Sequence, residues 1–434
     1  MFVNKRYLGA LVGNIMQFYD FTIYAFLTTE ISQAFFNFQN KFLSYFVVFS
    51  IFAGGYLTRP LGSIIFGYFG DKKGRSNALS KTIIISAIAT FAIGITPNYQ
   101  SIGLLAPVML ILLRLIQGLA VSGEEGGAVV LLFERYSFKN KGVIGASVLS
   151  SVLVGVLLGI VVCSTTSHLI SSHSIGAWGW RLPFILSLPL GVAAILLRFY
   201  LNDFKLFAIA EKNNVLVQQP TQTLFRNHSR ALLYGFFIVA IYSMTTSLLI
   251  VHMPYYLNVH LHLSHDVSLM MVAVAILVVA GLTPFVGNYC DRFNPGSVYN
   301  FGTVGIIILS PLLFYALSIH QLYFIMAVML IYACLTACIS SAIFSILVGL
   351  FPFGVRYSGV SLAFNLGVTV FSSSTPLALM AVEKYYISSV APGIYISVCA
   401  VLALMISHCL KKKISVLSFN EHDKEKMIYQ CEGS

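Results

Sequence analysis

Twelve apolar runs, each near or above the length of a membrane-crossing helix, follow one another along this chain with only short polar turns between most of them. They lie near residues 7–34, 42–70, 79–98, 102–132, 143–168, 181–201, 230–258, 265–289, 296–317, 321–349, 357–383 and 389–410. About 20 residues of helix cross the hydrocarbon of a bilayer, so the pattern predicts an all-α membrane protein with twelve transmembrane helices. Composition agrees: 58% of residues are hydrophobic and 9% are charged. No water-soluble core hides that much apolar surface. The 434 residues are used up by the spans and their turns, which leaves no sizeable soluble domain.

A net charge of +11 raises the question of a polyanionic partner, but the placement of the cations answers it. With the N-terminus on one side and the spans alternating, all but five of the 26 basic residues fall on that side. The exceptions are Lys41, Arg181 and Lys384 opposite, and Arg59 and Arg114 inside spans. Basic loops mark the cytoplasmic face, so both termini are expected there, in a cell (inner) membrane. The excess is a topology signal, and no nucleic-acid partner is implied. The one long polar connector, 202–229, divides the chain near its middle. The expected organisation is a six-helix bundle over 1–201, the connector, a second bundle over 230–410 and a short tail over 411–434. The seven cysteines form no paired outward framework and read as free thiols. Cys334 and Cys338 share a helix face, where small packing residues are the simpler reading than metal ligands. The first run contains Asn14, Gln17 and Asp20, unlike a cleaved leader, so it is expected to stay.

A repeat constrains mechanism. Residues 59–75 end in Gly67-x-x-x-Asp71-Lys72-Lys73-Gly74-Arg75, and 220 residues later Gly287-x-x-x-Asp291-Arg292 echoes them. In both halves the turn follows the second span. Two similar halves suggest a carrier that rocks between two states, rather than a pore or an anchor. Small residues at 62, 67 and 70 permit close helix contact, and Asp71 can stabilise a helix N-terminus or bind a cation. Gly67, Asp71, Lys72, Gly74, Arg75, Asp291, Arg292 and Arg356 are therefore the candidate gate, with Arg356 as a cation partner for Asp71. An ordinary solvated loop is the bland alternative.

Ionisable groups at membrane depth cost several kcal/mol unless matched, so each calls for an explanation. In the first span Asn14, Gln17, Asp20, Tyr24 and Thr28 recur at three- and four-residue intervals and line one helical face. Asp20 reads either as a reversible proton carrier, since burial disfavours a charged carboxylate, or as an Asp locked into a hydrogen-bond network. Arg59 lies twelve residues before Asp71, roughly 18 Å of helix. Arg114 heads a stretch that contains Gln117, Gly118, Gly123, Glu124 and Glu125. Glu125 is eleven positions on, about three turns, so it shares the Arg114 face, whereas Glu124 points about 80° away. Asp20, Glu124 and Glu125 are the candidates for proton handling. Asn14, Gln17, Tyr24, Arg59, Arg114, Gln117, Tyr242 and Asn365 are the candidates for solute binding. A structural salt bridge is the competing reading of the charged set. The run His260-Leu-His262-Leu-Ser-His265 falls in an expected outer loop; metal binding there is the weaker reading and a solvated loop the stronger. Neither a Walker loop nor a nucleophile elbow is found, which disfavours ATP-driven pumping and hydrolase chemistry.

The chain resembles the metabolite:proton symporters of the major facilitator superfamily. The resemblance rests on Gly13-Asn14 with Tyr19-Asp20-Phe21, on Arg59-Pro60-Leu61-Gly62 running to Gly74-Arg75, and on Gln117-Gly118 with Gly123-Glu124. Trp178-Gly179-Trp180-Arg181-Leu-Pro183-Phe184 and Phe351-Pro352 with Val355-Arg356-Tyr357-Ser358-Gly359 extend it along nearly the whole chain. It implies two six-helix bundles, a central site and import of a small polar solute with a proton. The proline/betaine branch is the most similar, so a zwitterion is expected, with a dicarboxylate or shikimate-like acid second and a non-transporting sensor third. No enzyme activity, cofactor or metal is implied; the coupling ion is a proton, the other partners are solute and lipid, and a monomer is expected. Five positions depart from the family pattern. Gln17-Phe18 stands where Glu-Trp is usual, and Glu125 where an aromatic is usual. Gly349 replaces a Glu and Gly354 an Arg, and the long coiled-coil tail of some proline/betaine carriers has no counterpart.

Overall fold

Apolar runs become helix wherever the chain is described, and the regular elements among the described residues are all helical. The computed structural model describes residues 5–36, 47–48, 50–51, 54–136, 140–172, 174–198, 217–386 and 388–414. The start of the second expected span, most of the 202–229 connector and the tail from 415 lie outside the described residues. The elements used below are α1 (Lys5–Phe26), α2 (Thr28–Phe35), α3 (Arg59–Lys73), α4 (Arg75–Ile95), α5 (Leu105–Arg135), α6 (Lys141–Ser171) and α7 (Leu182–Arg198). The second half supplies α8 (Ser229–Ser247), α9 (Met253–Val259), α10 (His265–Arg292), α11 (Pro295–Ser318) and α12 (Leu322–Leu350). It ends with α13 (Arg356–Gly367), α14 (Ser373–Tyr385) and α15 (Ala391–Ile414).

Among the described residues, ten segments are long and apolar enough to cross a membrane. The first two expected spans are not among them, for readable reasons. The first run breaks at Leu27 and carries Asn14, Gln17 and Asp20 in α1; the second turns at Thr58, which leaves α3 with 15 residues. Capping sets some boundaries: α11 begins behind Asn294, whose Oδ1 accepts from the Gly296 N–H at 2.9 Å, with Pro295 in the first turn.

Contacts divide the chain into two units, residues 1–128 with 151–203, and residues 129–150 with 204–434. In the first, α4 packs on α7 and α3, and α7 packs on α1. Because lipid is as apolar as leucine, such packing relies on close backbone approach at small residues. Gly62 of α3 lies against the Leu119 carbonyl and Ser122, and Gly118 of α5 against the Gly55 carbonyl and Thr58, so neither position has room for a Cβ. Arg181 closes the far end of α4: its Nη1 donates to the Gly94 and Thr96 carbonyls at 2.6 and 2.7 Å, and its Nη2 to Asn98 Oδ1 at 2.6 Å. In the second unit α12 packs on α10 and α11, and α8 packs on α13 and α15. Two of its spans contain a π turn, Leu248–His252 between α8 and α9 and Val368–Ser372 between α13 and α14. The turns are joined by Ser247 Oγ, which donates to the Ser372 carbonyl at 2.7 Å.

Gly118→Leu is expected to lower stability by about 1–3 kcal/mol or to abolish folded yield, because the α3–α5 contact has no slack. Gly281→Ala, where nothing lies within 4 Å of the place a methyl group would take, is the control and is expected to be neutral or slightly stabilising. Thermal unfolding of the purified protein followed by size-exclusion chromatography measures both.

Candidate functional site

Asp20, Arg59, Arg114, Glu124 and Glu125 are all buried in the first unit, none more than 4% exposed. Four helices bring them there. From α1 come Asp20 and the aromatic residues Phe18, Phe21 and Tyr24. The first residue of α3 is Arg59, while α4 contributes Thr82, Ser86 and Thr90 at four-residue spacing, hence on one face. The remaining groups, Arg114, Gln117, Glu124 and Glu125, lie on α5.

The guanidiniums are held largely by aromatic faces. The Arg59 carbon Cζ lies 4.6 Å from the ring centres of both Phe21 and Tyr56, and 5.7 Å from Phe18. Arg114 Cζ lies 4.7 Å from Phe21 and 4.3 Å from Tyr24. Phe21 therefore faces both cations, and the negative faces of these rings offset part of the cost of removing the cations from water. Arg114 Nη1 also donates to Gln117 Oε1 at 2.7 Å and to the Phe21 carbonyl at 3.2 Å. Arg59 is less well matched. Its nearest carboxylate contact is 3.9 Å, from Nη1 to Glu125 Oε2, an ion-pair distance but not a hydrogen bond. Its Nε and Nη2, the Glu125 Oε2, and both polar atoms of Gln17 are buried without a hydrogen-bond partner among the described residues. Gln17 is one helical turn from Phe21 on α1, on the Arg59 side.

Asp20 is surrounded differently. Ser86 Oγ donates to its Oδ2 at 3.4 Å, and the hydroxyls of Ser187 and Thr90 stand near it. Among the described residues no cation lies within ion-pair reach of Asp20. Hydroxyls both donate and accept, so this surround suits either an ionised or a protonated carboxyl. Thr90 also accepts from Gln117 Nε2 at 2.5 Å. Thr90 in turn donates to the Ser86 carbonyl at 2.8 Å, so a row of hydrogen bonds runs from Asp20 through Ser86, Thr90 and Gln117 to Arg114. Glu124 turns to α4 and accepts from Thr82 Oγ1 at 3.0 Å, while Glu125 shares the Arg59 neighbourhood.

The other candidates are placed as follows. Asn14 Nδ2 donates to Ser151 Oγ on α6 at 2.8 Å, and the Tyr24 hydroxyl donates to the Val48 carbonyl at 3.2 Å. Tyr242 and Asn365 belong to the second unit, Tyr242 beside Phe364 at 5.9 Å and Asn365 donating to the Ser361 carbonyl at 2.9 Å. At the first repeat turn Gly67 is buried in α3 and Asp71 lies 3.3 Å from Arg75, which donates to the Gly70 carbonyl at 2.8 Å. Gly74 has φ of 99°, a conformation that favours glycine. Lys72 is exposed and donates to the Tyr68 hydroxyl at 2.8 Å. At the second turn Arg292 is exposed, and Asp291 accepts the N–H groups of Gly142 and Val143 at 2.6 and 3.0 Å, the first turn of α6. The role of helix N-terminal acceptor, argued above for Asp71, is thus filled by its repeat counterpart. Arg356 Nη1 lies 3.6 Å from Glu134 Oε1, a partner that the sequence does not point to. Glu134 ends a long apolar run beside Arg135, where it resembles any solvated helix end.

Residues 10–376 match the model of the Major Facilitator Superfamily, and the chain belongs to that family. It is a multi-pass integral membrane protein of a transporter family and not of an enzyme family. The proline/betaine transporter of Escherichia coli (strain K12) is 29% identical over 419 residues, covering 94% of this chain and 84% of that one. The glycine betaine/proline/ectoine/pipecolic acid transporter OusA of Dickeya dadantii is 30% identical over 419 residues, covering 94% and 83%. The ectoine/proline transporter ProP of Corynebacterium glutamicum is 32% identical over 404 residues, covering 89% and 80%. Among solved structures, the proton:xylose symporter XylE bound to 6-bromo-6-deoxy-D-glucose superposes with a TM-score of 0.76 at 14% identity, covering 94% of this chain and 95% of that one, a likeness of fold.

Removing the Glu125 carboxylate is expected to leave the Arg59 guanidinium buried and unmatched, at a cost of about 3–5 kcal/mol. Glu125→Leu should lower the unfolding midpoint sharply, and the double variant Arg59→Met, Glu125→Leu should recover most of the loss. A double-mutant cycle of thermal unfolding measures the coupling.

Proposed function

We propose that this transporter is a proton-coupled symporter that imports a small zwitterion of the proline or betaine kind by alternating access. The observation that carries the reading is the row of hydrogen bonds from Asp20 through Ser86, Thr90 and Gln117 to Arg114. It ties a carboxyl set among hydroxyls to a cation that stands beside Phe21, the ring it shares with Arg59. Arg59, with two nitrogens free of protein partners, receives the solute carboxylate. Glu125 sits within reach of the opposite, cationic end. Protonating Asp20 turns the Ser86 hydroxyl from donor to acceptor, and the row Ser86, Thr90, Gln117 carries the resulting shift of α4 to Arg114. Solute affinity and proton occupancy are thereby linked, and linkage is reciprocal. The names of the relatives above, which include proline, betaine, ectoine and pipecolic acid, agree in substrate class with a site of paired opposite charges.

The energetics are adequate. One proton supplies about 2.3 kcal/mol per 100 mV and about 1.4 kcal/mol per pH unit. With both present, a zwitterion accumulates by about two to three decades. We further infer twelve spans, α1–α2 and the run ending in α3 completing the ten. Both termini and the 202–229 connector lie in the cytoplasm, and the monomer sits in the cell membrane. Asp71 with Arg75, Asp291 with the start of α6, and Arg356 with Glu134 are contacts that form in one gate state and break in the other.

Proteoliposomes under an imposed inward proton gradient should accumulate labelled proline, glycine betaine or ectoine in preference to 2-oxoglutarate or shikimate, and a protonophore should abolish the accumulation. Binding without accumulation would point to a sensor. Asp20→Asn is expected to lose gradient-driven accumulation while it keeps solute exchange and its melting temperature; concentrative uptake by that variant would refute the role of Asp20. Reporter fusions at residue 434 and within 202–229 should both report cytoplasm.

A further inference from the structure

The second unit buries a separate set of titratable groups, around the histidine run that the transport reading leaves unused. Glu383, near the end of α14, lies 2.8 Å by Oε1 from His252 Nε2 and 3.5 Å by Oε2 from His260 Nε2. His252 and His260 flank α9, eight residues apart, and both reach Glu383. The three side chains grade from outside to inside: His260 is 42% exposed, Glu383 10% and His252 0%.

Aromatic rings frame the cluster. His260 stacks on Tyr256 with ring centres 4.6 Å apart and meets Tyr255 edge-on at 6.1 Å. His252 lies 6.0–6.2 Å from Tyr255, Tyr256 and, from α11, Phe314. The other titratable groups facing the cluster are thus Tyr255 and Tyr256. Lys384 follows Glu383 in sequence, but its ammonium lies over the Tyr385 ring at 5.7 Å. Among the described residues the ion-pair contacts of both imidazoles go to Glu383 alone. No three His, Cys, Asp or Glu side chains among those residues are arranged to hold a metal ion.

A carboxylate only accepts, so each Nε2 that faces it must carry a hydrogen. With one N–H from each imidazole, Glu383 is satisfied and both rings are neutral. His252 Nδ1 remains buried without a hydrogen-bond partner, a basic lone pair held in reserve. One further proton, taken up at an Nδ1 atom, converts a neutral hydrogen bond into an imidazolium–carboxylate pair, which is the stronger contact in an apolar surround. The location adds to the argument. His252 closes one π turn, and Glu383 stands near the end of the helix that follows the other; π turns inside α-helices are frequent at functional sites. The cluster therefore joins the two segments, α9 and α14, that follow a local break in their spans.

We propose that His252, Glu383 and His260 form a proton-binding site of the second unit, separate from the acids of the first. In the topology inferred above, this end of the unit faces the outside.

Histidine-selective 15N NMR of the purified protein tests the site without solute or gradient, so its outcome is independent of whether the transport reading stands. The His252 signal, identified by its loss in His252→Gln, is followed from about pH 5 to 8 and should show uptake of the further proton. Glu383→Gln should lower its proton affinity by about tenfold or more, because the paired anion is gone. His260→Gln, a change at the exposed edge, should raise that affinity, because His252 no longer shares the carboxylate. A His252 signal constant across that range, or the same midpoint in the wild type and both variants, would overturn the proposal.

Discussion

Charge inside an apolar surround has to be matched by the protein itself, and in this chain the matching is uneven. Arg114 is met by two aromatic faces, a carbonyl and Gln117, and Asp20 by hydroxyls. Arg59 and Glu125 face each other across 3.9 Å with polar atoms to spare, and both polar atoms of Gln17 are unmatched among the described residues. A site built only for stability would close those contacts. Leaving them open stores interaction free energy that a ligand with both charges can collect, at the cost of a less stable empty state.

Packing places those groups as surely as charge does. The glycines of α5 lie between its ionisable residues, and each marks a close approach. Gly118 abuts the backbone that leads into α3, and at Gly123 an added Cβ would come within 2.8 Å of Phe66 and 2.9 Å of Thr82. With α5 seated there, Glu124 reaches Thr82 and Gln117 reaches Thr90. The same residues that let helices associate in lipid thus fix the distances on which the polar network depends.

Much of this was legible in the sequence, because in a membrane chain the informative residues are the rare polar ones. Asp20, Arg59, Arg114, Glu124 and Glu125 stand out against apolar runs and do gather in one unit. The helical phase that put Glu125 with Arg114 and turned Glu124 aside also agrees with their separate partners, Arg59 and Thr82. What stayed hidden were partners distant in sequence. Glu134 with Arg356, Asp291 with the start of α6, and Glu383 with two histidines each join residues more than 100 positions apart. Period and composition carry no record of such pairings. The stripe Thr82, Ser86, Thr90 was visible but ordinary, since hydroxyls in apolar helices commonly bond their own backbone. Two of the three also do so here, Thr82 to the Leu79 carbonyl and Thr90 to that of Ser86.

The paired π turns carry a geometric consequence of their own. A π turn holds roughly one residue more than an α turn, so the helix beyond it is re-phased by about 100° relative to the helix before it. An unbroken α period drawn from Ser229 to Val259 would assign the later residues to the wrong azimuth, and so would one drawn from Arg356 to Tyr385. Each span therefore behaves as two registers spliced end to end, and a single-residue deletion at either splice would swing everything downstream to a neighbouring face of the helix without shortening the span by more than one step.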